Sequence, residues 1–181
     1  MRRFNMFLVA GMLISFIIHA IIGSLQLTGA QSNPVAMRIA AEVLMTCATL
    51  HIIVTVILSI KTLYAIKKSG AHYFKNNLLF WVRRISGFTI ILPLIMHLQI
   101  FGAQHEGAYR LSVFTTGRLI SQILLVVSIA FHVLLNVKPA LLGFGVKGHK
   151  KFAADFVFIL SVLLLVFAVS FYVYYLRWMS N

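Results

Sequence analysis

Acidic side chains are almost missing from this chain. Its 181 residues contain only three, Glu42, Glu106 and Asp155, against sixteen Lys and Arg, for a formal net charge of +13 at pH 7. Only 10% of the residues are charged at all, where a soluble domain carries about 25%, and 61% are hydrophobic. A water-soluble globular protein is therefore excluded. Nucleic-acid binding is one use of a basic surplus. On so apolar a chain the surplus reads instead as cytoplasmic loops of a membrane protein, with no nucleic-acid partner. Cysteine is also scarce. The lone Cys47 cannot form an intrachain disulfide or supply the four thiolates that an iron–sulfur cluster typically takes. What the chain holds in surplus is histidine: seven, more than twice the number of acids.

The apolar residues fall into five runs, at about 4–27, 39–60, 78–102, 119–137 and 152–176. A helix that crosses a bilayer needs about 20 apolar residues, because unpaired backbone groups are too costly in hydrocarbon. The expected fold is all-α: one integral membrane domain over residues 1–181, a bundle of five transmembrane helices. Arg2 and Arg3 ahead of the first run resemble the start of a signal peptide. That run is too long for a signal core, contains His19 and lacks a small-x-small cleavage site, so it reads as a span.

The loops set the expected orientation. With the N-terminus in the cytoplasm, twelve of the sixteen cations lie inside. They are Arg2 and Arg3, then Lys61, Lys67, Lys68, Lys75, Arg83 and Arg84, then Lys138, Lys147, Lys150 and Lys151. Arg38, Arg110, Arg118 and Arg177 are left outside. The positive-inside rule thus puts the N-terminus in the cytoplasm and the C-terminus outside. The basic inner face would also suit a more acidic soluble partner.

Four histidines, His19, His51, His97 and His132, lie one in each of the first four spans, and the fifth span has none. Ionisable groups at membrane depth are costly and usually face the bundle interior. A lone intramembrane histidine is often a satisfied core residue; four, one per helix, ask for a shared reason. At a rise of about 1.5 Å per residue, counted from the flanking cations, His19 lies ~24 Å and His97 ~20 Å from the inner boundary. His51 lies ~15 Å and His132 ~9 Å from it. The depths give an outer pair, His19 with His97, and an inner pair, His51 with His132. Two imidazoles facing across a bundle suit axial ligation of a haem iron, and two such haems would carry electrons across the membrane. A protein-held zinc or copper site would need convergent ligands, commonly two on one helix, and no span has two. A proton relay would usually use buried carboxylates. His72 and His149 sit beside lysines in inner loops and read as solvated. His105, next to Glu106 in the outer loop, reads as a wet loop residue or a participant in quinol chemistry.

This layout resembles the dihaem cytochrome b membrane anchor of succinate:quinone oxidoreductases, the succinate dehydrogenases and fumarate reductases with a single anchor subunit. The stretch Trp81-Val82-Arg83-Arg84-Ile85-Ser86-Gly87-Phe88 leading to His97-Leu98 looks like the start of that family's third helix. Lys61-Thr62-Leu63-Tyr64-Ala65-Ile66-Lys67-Lys68 looks like its basic cytoplasmic loop. The resemblance implies two haem b, one held by His19 and His97 and the other by His51 and His132. It implies menaquinone-type quinol as substrate, flavoprotein and iron–sulfur partner subunits, a bacterial cytoplasmic (inner) membrane location and a dimer of heterotrimers. Such a subunit is either non-catalytic or quinone-reactive. Two departures stand out. Some members carry an acidic residue two positions before the fourth histidine, where this chain has Ala130. The family's acidic quinol-site residue has no clear counterpart, Glu42 being the nearest acid.

Other residues have two readings each. Glu42 is a candidate proton acceptor for quinol, or a helix N-terminal carboxylate favoured by the dipole. Lys61, Arg83, Arg84 and Lys138 border the inner layer. Arg84 and Lys138 are candidate partners of haem propionates, or simply positive-inside charges. Pro93, four residues before His97, kinks its helix or is tolerated there. Gly11 with Ser15, and Ser86 with Gly87, allow close approach of a porphyrin or of a helix. Asp155 reads as a cap, Cys47 as packing, and Tyr172, Tyr174, Tyr175 and Trp178 as an interfacial belt. Two competing functions remain: a dihaem cytochrome b of another respiratory enzyme, of hydrogenase or nitrate reductase type, and a haem-free membrane transporter or assembly protein.

Overall fold

A computed structural model describes residues 1–30, 33–69, 78–101, 104–105, 108–109, 113–146 and 149–179. Five helices account for nearly all of them: α1 (Arg2–Thr28), α2 (Pro34–Ser69), α3 (Leu78–Phe101), α4 (Thr116–Gly143) and α5 (His149–Met179). Each is long and apolar enough to cross a membrane. The only strands among the described residues are β1 (Gln104–His105) and β2 (Ala108–Tyr109), a two-residue antiparallel ladder between α3 and α4.

The helices end where backbone chemistry allows. Gly29 closes α1 in the left-handed region, with φ at 74°, and returns hydrogen bonds to Gln26 and Leu25 together with Ala30. Asn33 starts α2 by accepting the Ala36 N–H on its side-chain oxygen, with Pro34 at the first helical position. Thr115 caps α4 in the same way through the Arg118 N–H. Two helices overrun their apolar runs. Helix α2 continues through Lys61–Ser69, where Lys67 and Lys68 complement the C-terminal dipole. Helix α4 continues past Val137 and Pro139 to Gly143. A span's apolar length marks the hydrocarbon core, whereas its helix also includes the interfacial turns.

Helices α1 and α2 form one antiparallel hairpin, and α3 and α4 form a second. Helix α5 packs against both α4 and α1 and joins the two hairpins. On α3, Ser86, Pro93 and Ile100 are buried at seven-residue intervals, a stripe that keeps facing its neighbour. Close backbone approach within the first hairpin is visible at Gly11, where a Cβ would come 3.1 Å from Cys47 Sγ. Full burial is sparse and concentrates along α5. Leu160, Leu164 and Phe167 pack with Phe16, Ala20, Val126, Ile129 and Ala130. Near the opposite end, Phe171 and Tyr174 pack with Leu27, Ile100 and Phe114. Most other large apolar side chains point outward, as expected where lipid is the solvent.

Contacts between the two hairpins are sparse. Among the described residues, none of the pairs α1 with α3, α2 with α4 and α2 with α3 is closely packed, and α1 touches α4 only lightly.

Candidate functional site

The four intramembrane histidines lie one on each of α1 to α4. His19 on α1 and His97 on α3 face one another with ring centroids 6.1 Å apart. His51 on α2 and His132 on α4 lie within electrostatic reach of each other. Of the histidines, His19 and His97 are brought ring to ring. Antiparallel register sets the axial separation. Gly11 meets Cys47 at one level; His19 lies eight residues beyond Gly11, and His51 four residues beyond Cys47 in the opposite direction along the axis. That places the two histidines of the first hairpin about 18 Å apart along the axis. In the second hairpin Ser86 meets His132, and His97 lies eleven residues further along α3. The corresponding separation is about 16 Å. Two histidine layers therefore exist, at matching depths in both hairpins.

The rings are oriented through their Nδ1 atoms. His97 Nδ1 is 2.7 Å from Gln122 Oε1 on α4. His132 Nδ1 is 2.9 Å from Ser86 Oγ on α3. His51 Nδ1 is 2.9 Å from Asn5 Oδ1 on α1. Gln122 and Ser86 are completely buried. His19 is the exception: its buried Nδ1 meets no hydrogen-bond partner, while its ring stands within hydrogen-bonding reach of the Met37 backbone on α2. A histidine that ligates a metal usually donates its other ring N–H in just this manner, which fixes the ring and its tautomer.

The residue set fits axial ligation. Two imidazoles bound in line to one metal through bonds of about 2 Å have ring centres about 6 Å apart. The 6.1 Å between His19 and His97 matches that spacing. Among the described residues no three His, Cys, Asp or Glu side chains converge on a common point.

The charged candidates surround the inner layer. Arg84 Nε donates to Ser59 Oγ on α2 at 2.7 Å, and its guanidinium lies 3.3 Å above the Phe80 ring. Arg83 Nε donates to the Leu135 carbonyl at 2.9 Å. That carbonyl is available because Pro139, four residues on, has no N–H to offer it. Lys138 and Lys61 are exposed near the same end. Glu42 is also exposed and lies 3.8 Å from Arg38, an exposed i,i+4 pair on α2. Ala130 packs towards α5, among Leu160, Leu164 and Phe167. Gly87 lies against the ring of His132, where a Cβ would come 3.4 Å from Cε1, so helix and imidazole use the space together. His72 and Glu106, and the side chains of His105, His149 and Trp178, lie outside the described residues.

Sequence reasoning missed the partners of the imidazoles, Asn5, Ser86 and Gln122. The clearest available signal was Gln122, an amide in the apolar run that carries His132, since buried polar groups at membrane depth are usually paired. Its partner was not readable, because the meeting of His97 and Gln122 depends on the rotation of α3 against α4. No protein-family model, no curated protein and no solved structure matches this chain.

Proposed function

We propose that the chain is a dihaem b-type cytochrome that carries electrons across a membrane. The observation that carries this reading is the facing pair of His19 on α1 and His97 on α3, with ring centroids 6.1 Å apart. His19 and His97 would hold one haem, and His51 and His132 the other. Haem supplies one-electron redox chemistry that no side chain here provides. The protein's own contributions are ligation, orientation and exclusion of water. Three Nδ1 contacts hold their rings in place, while the aromatic cluster of Phe101, Phe114, Phe171 and Tyr174 covers one end of the bundle. Arg84 stands between α3 and α2 at the inner layer, where its charge suits a propionate; Lys138 offers a second cation at that end.

More specifically, we infer a membrane anchor of a succinate:quinone oxidoreductase, passing electrons between menaquinone-type quinol and a flavoprotein–iron–sulfur pair. The scarcity of cysteine supports placing flavin and cluster chemistry on other chains. The exposed cations Lys61, Lys67, Lys68 and Lys138 offer an acidic partner a docking face. That face would be cytoplasmic, with the N-terminus on the same side, in the inner membrane of a bacterium.

A reduced-minus-oxidised spectrum of the purified protein tests the reading. A b-type α-band with about two haems per chain is expected; the absence of haem would overturn it. His19→Ala and His97→Ala should each remove one haem, and His51→Ala and His132→Ala the other. Loss of the same haem in the His19 and His51 variants would refute the pairing.

A further inference from the structure

We propose that Gln122 and Ser86 are positioning residues that fix one ligand of each histidine pair, so that the α3–α4 hairpin presents two preset ligands and the α1–α2 hairpin two adaptable ones. The inference rests on the dihaem reading and concerns which proton sits on which atom.

The proton count begins at two serines. Ser121 has one hydroxyl proton, and it is donated to the Arg118 carbonyl at 2.7 Å. Toward Gln122 Nε2, at 3.0 Å, Ser121 Oγ can therefore only accept. This identifies the NH2 end of the amide, so the other end, Oε1, faces His97. An amide oxygen only accepts, so His97 Nδ1 must carry the proton and Nε2 must be the bare lone pair. Ser86 gives the same answer by a shorter route. With its hydroxyl proton placed on the Arg83 carbonyl at 2.8 Å, Ser86 Oγ is left as an acceptor for His132 Nδ1 at 2.9 Å, the arrangement the proposal assigns. Both Gln122 and Ser86 are at zero exposure, so no water competes for these contacts.

The first hairpin has no such constraint. Asn5 faces His51 with an amide that no neighbouring donor or acceptor orients among the described residues, and His19 Nδ1 has no partner. Each pair thus combines one preset ring with one adaptable ring, and both preset rings lie on the same hairpin. A ring that donates its Nδ1–H is a more basic ligand and favours the oxidised iron. Removing the acceptor should raise the midpoint potential of the haem it serves and leave the other unchanged.

The test is a redox titration of the two α-band components in the haem-loaded protein, with haem content measured alongside. Gln122→Leu keeps the bulk and removes the acceptor. It should raise one midpoint, by about 59 mV if the preference for the oxidised iron falls tenfold. Ser86→Ala should raise the other midpoint, and Ser86→Thr should restore it. If Gln122→Leu fails to assemble, Gln122→Glu decides, because a carboxylate acceptor should lower the same midpoint. Two haems retained with neither midpoint moved, or with both moved together, would overturn this inference alone. A wild-type protein without haem would overturn the dihaem reading and this inference with it.

Discussion

Arg83 and Pro139 make a quantitative prediction possible. Pro139 interrupts α4 and deprives the Leu135 carbonyl of its helical partner, and Arg83 reaches across from α3 to supply one at 2.9 Å. Arg83→Met removes the donor and keeps much of the stem. A hydrogen bond from a charged group contributes about 1.5–3 kcal/mol in soluble proteins. Interhelical bonds in membranes average about 0.6 and reach about 1.7 kcal/mol, because the separated helices find other partners. Both residues are half-buried. The membrane scale therefore applies, and its upper half is appropriate because the acceptor has no alternative: about 1–1.7 kcal/mol for Arg83→Met. Pro139→Ala restores an N–H at position 139. In that background Leu135 stays paired when Arg83 is removed, and the cost should fall by about 1 kcal/mol. The assay is a double-mutant cycle: equilibrium unfolding of the four proteins from mild detergent into denaturing detergent, followed by helicity. Additive effects, with coupling below about 0.3 kcal/mol, would refute the claim that the proline creates the site that the arginine fills.

Two further perturbations follow from the geometry. Gly11→Ala places a Cβ 3.1 Å from Cys47 Sγ and should cost about 1–2 kcal/mol of overpacking; adding Cys47→Ala should recover most of it, measured by the same unfolding assay. Glu42→Gln should leave haem content unchanged and shift stability by less than about 1 kcal/mol, since its pairing with Arg38 is exposed. In the assembled complex, a loss of quinol-dependent turnover with an intact haem spectrum would assign Glu42 as the proton acceptor, and unchanged turnover would remove it from the site.

How much of this was legible in the sequence depends on the length scale of the feature. Five apolar runs produced five helices because run length alone satisfies the backbone in hydrocarbon. The proximity of His19 and His97 was legible because depth is linear in residue number along a helix, and the cations flanking each span mark where counting starts. The cross-helix partners were not legible. Whether Gln122 meets His97, or Arg84 meets Ser59, depends on helix rotation. With apolar side chains on nearly every face of each span, the sequence carries little rotational signal. Helix ends lay between these cases: Gly29 and the Asn33–Pro34 pair mark theirs, whereas α2 runs past Ile60 because its lysines continue a turn pattern that hydropathy alone does not register.

The two hairpins differ in a way that bears on assembly. In the second, Arg83, Ser86 and His97 on α3 each hydrogen-bond a group on α4, so rotation and register are fixed by directional contacts along most of the hairpin. In the first, Asn5 with His51 is the main directional contact, and close packing of Gly11 on Cys47 does much of the rest. Packing of smooth apolar faces resists separation more than it resists sliding, because every neighbouring register also buries apolar surface. Helix α5 joins the hairpins, and at one end Arg177 also donates to the carbonyl of Thr28 at the C-terminus of α1. That contact limits sliding of α1 at its far end, beyond His19, while Asn5 holds the near end. His19 lies between these two restraints, facing His97 on α3. On the dihaem reading, this is why the ligand without an Nδ1 partner is found on α1 and not on the tightly keyed α3 or α4.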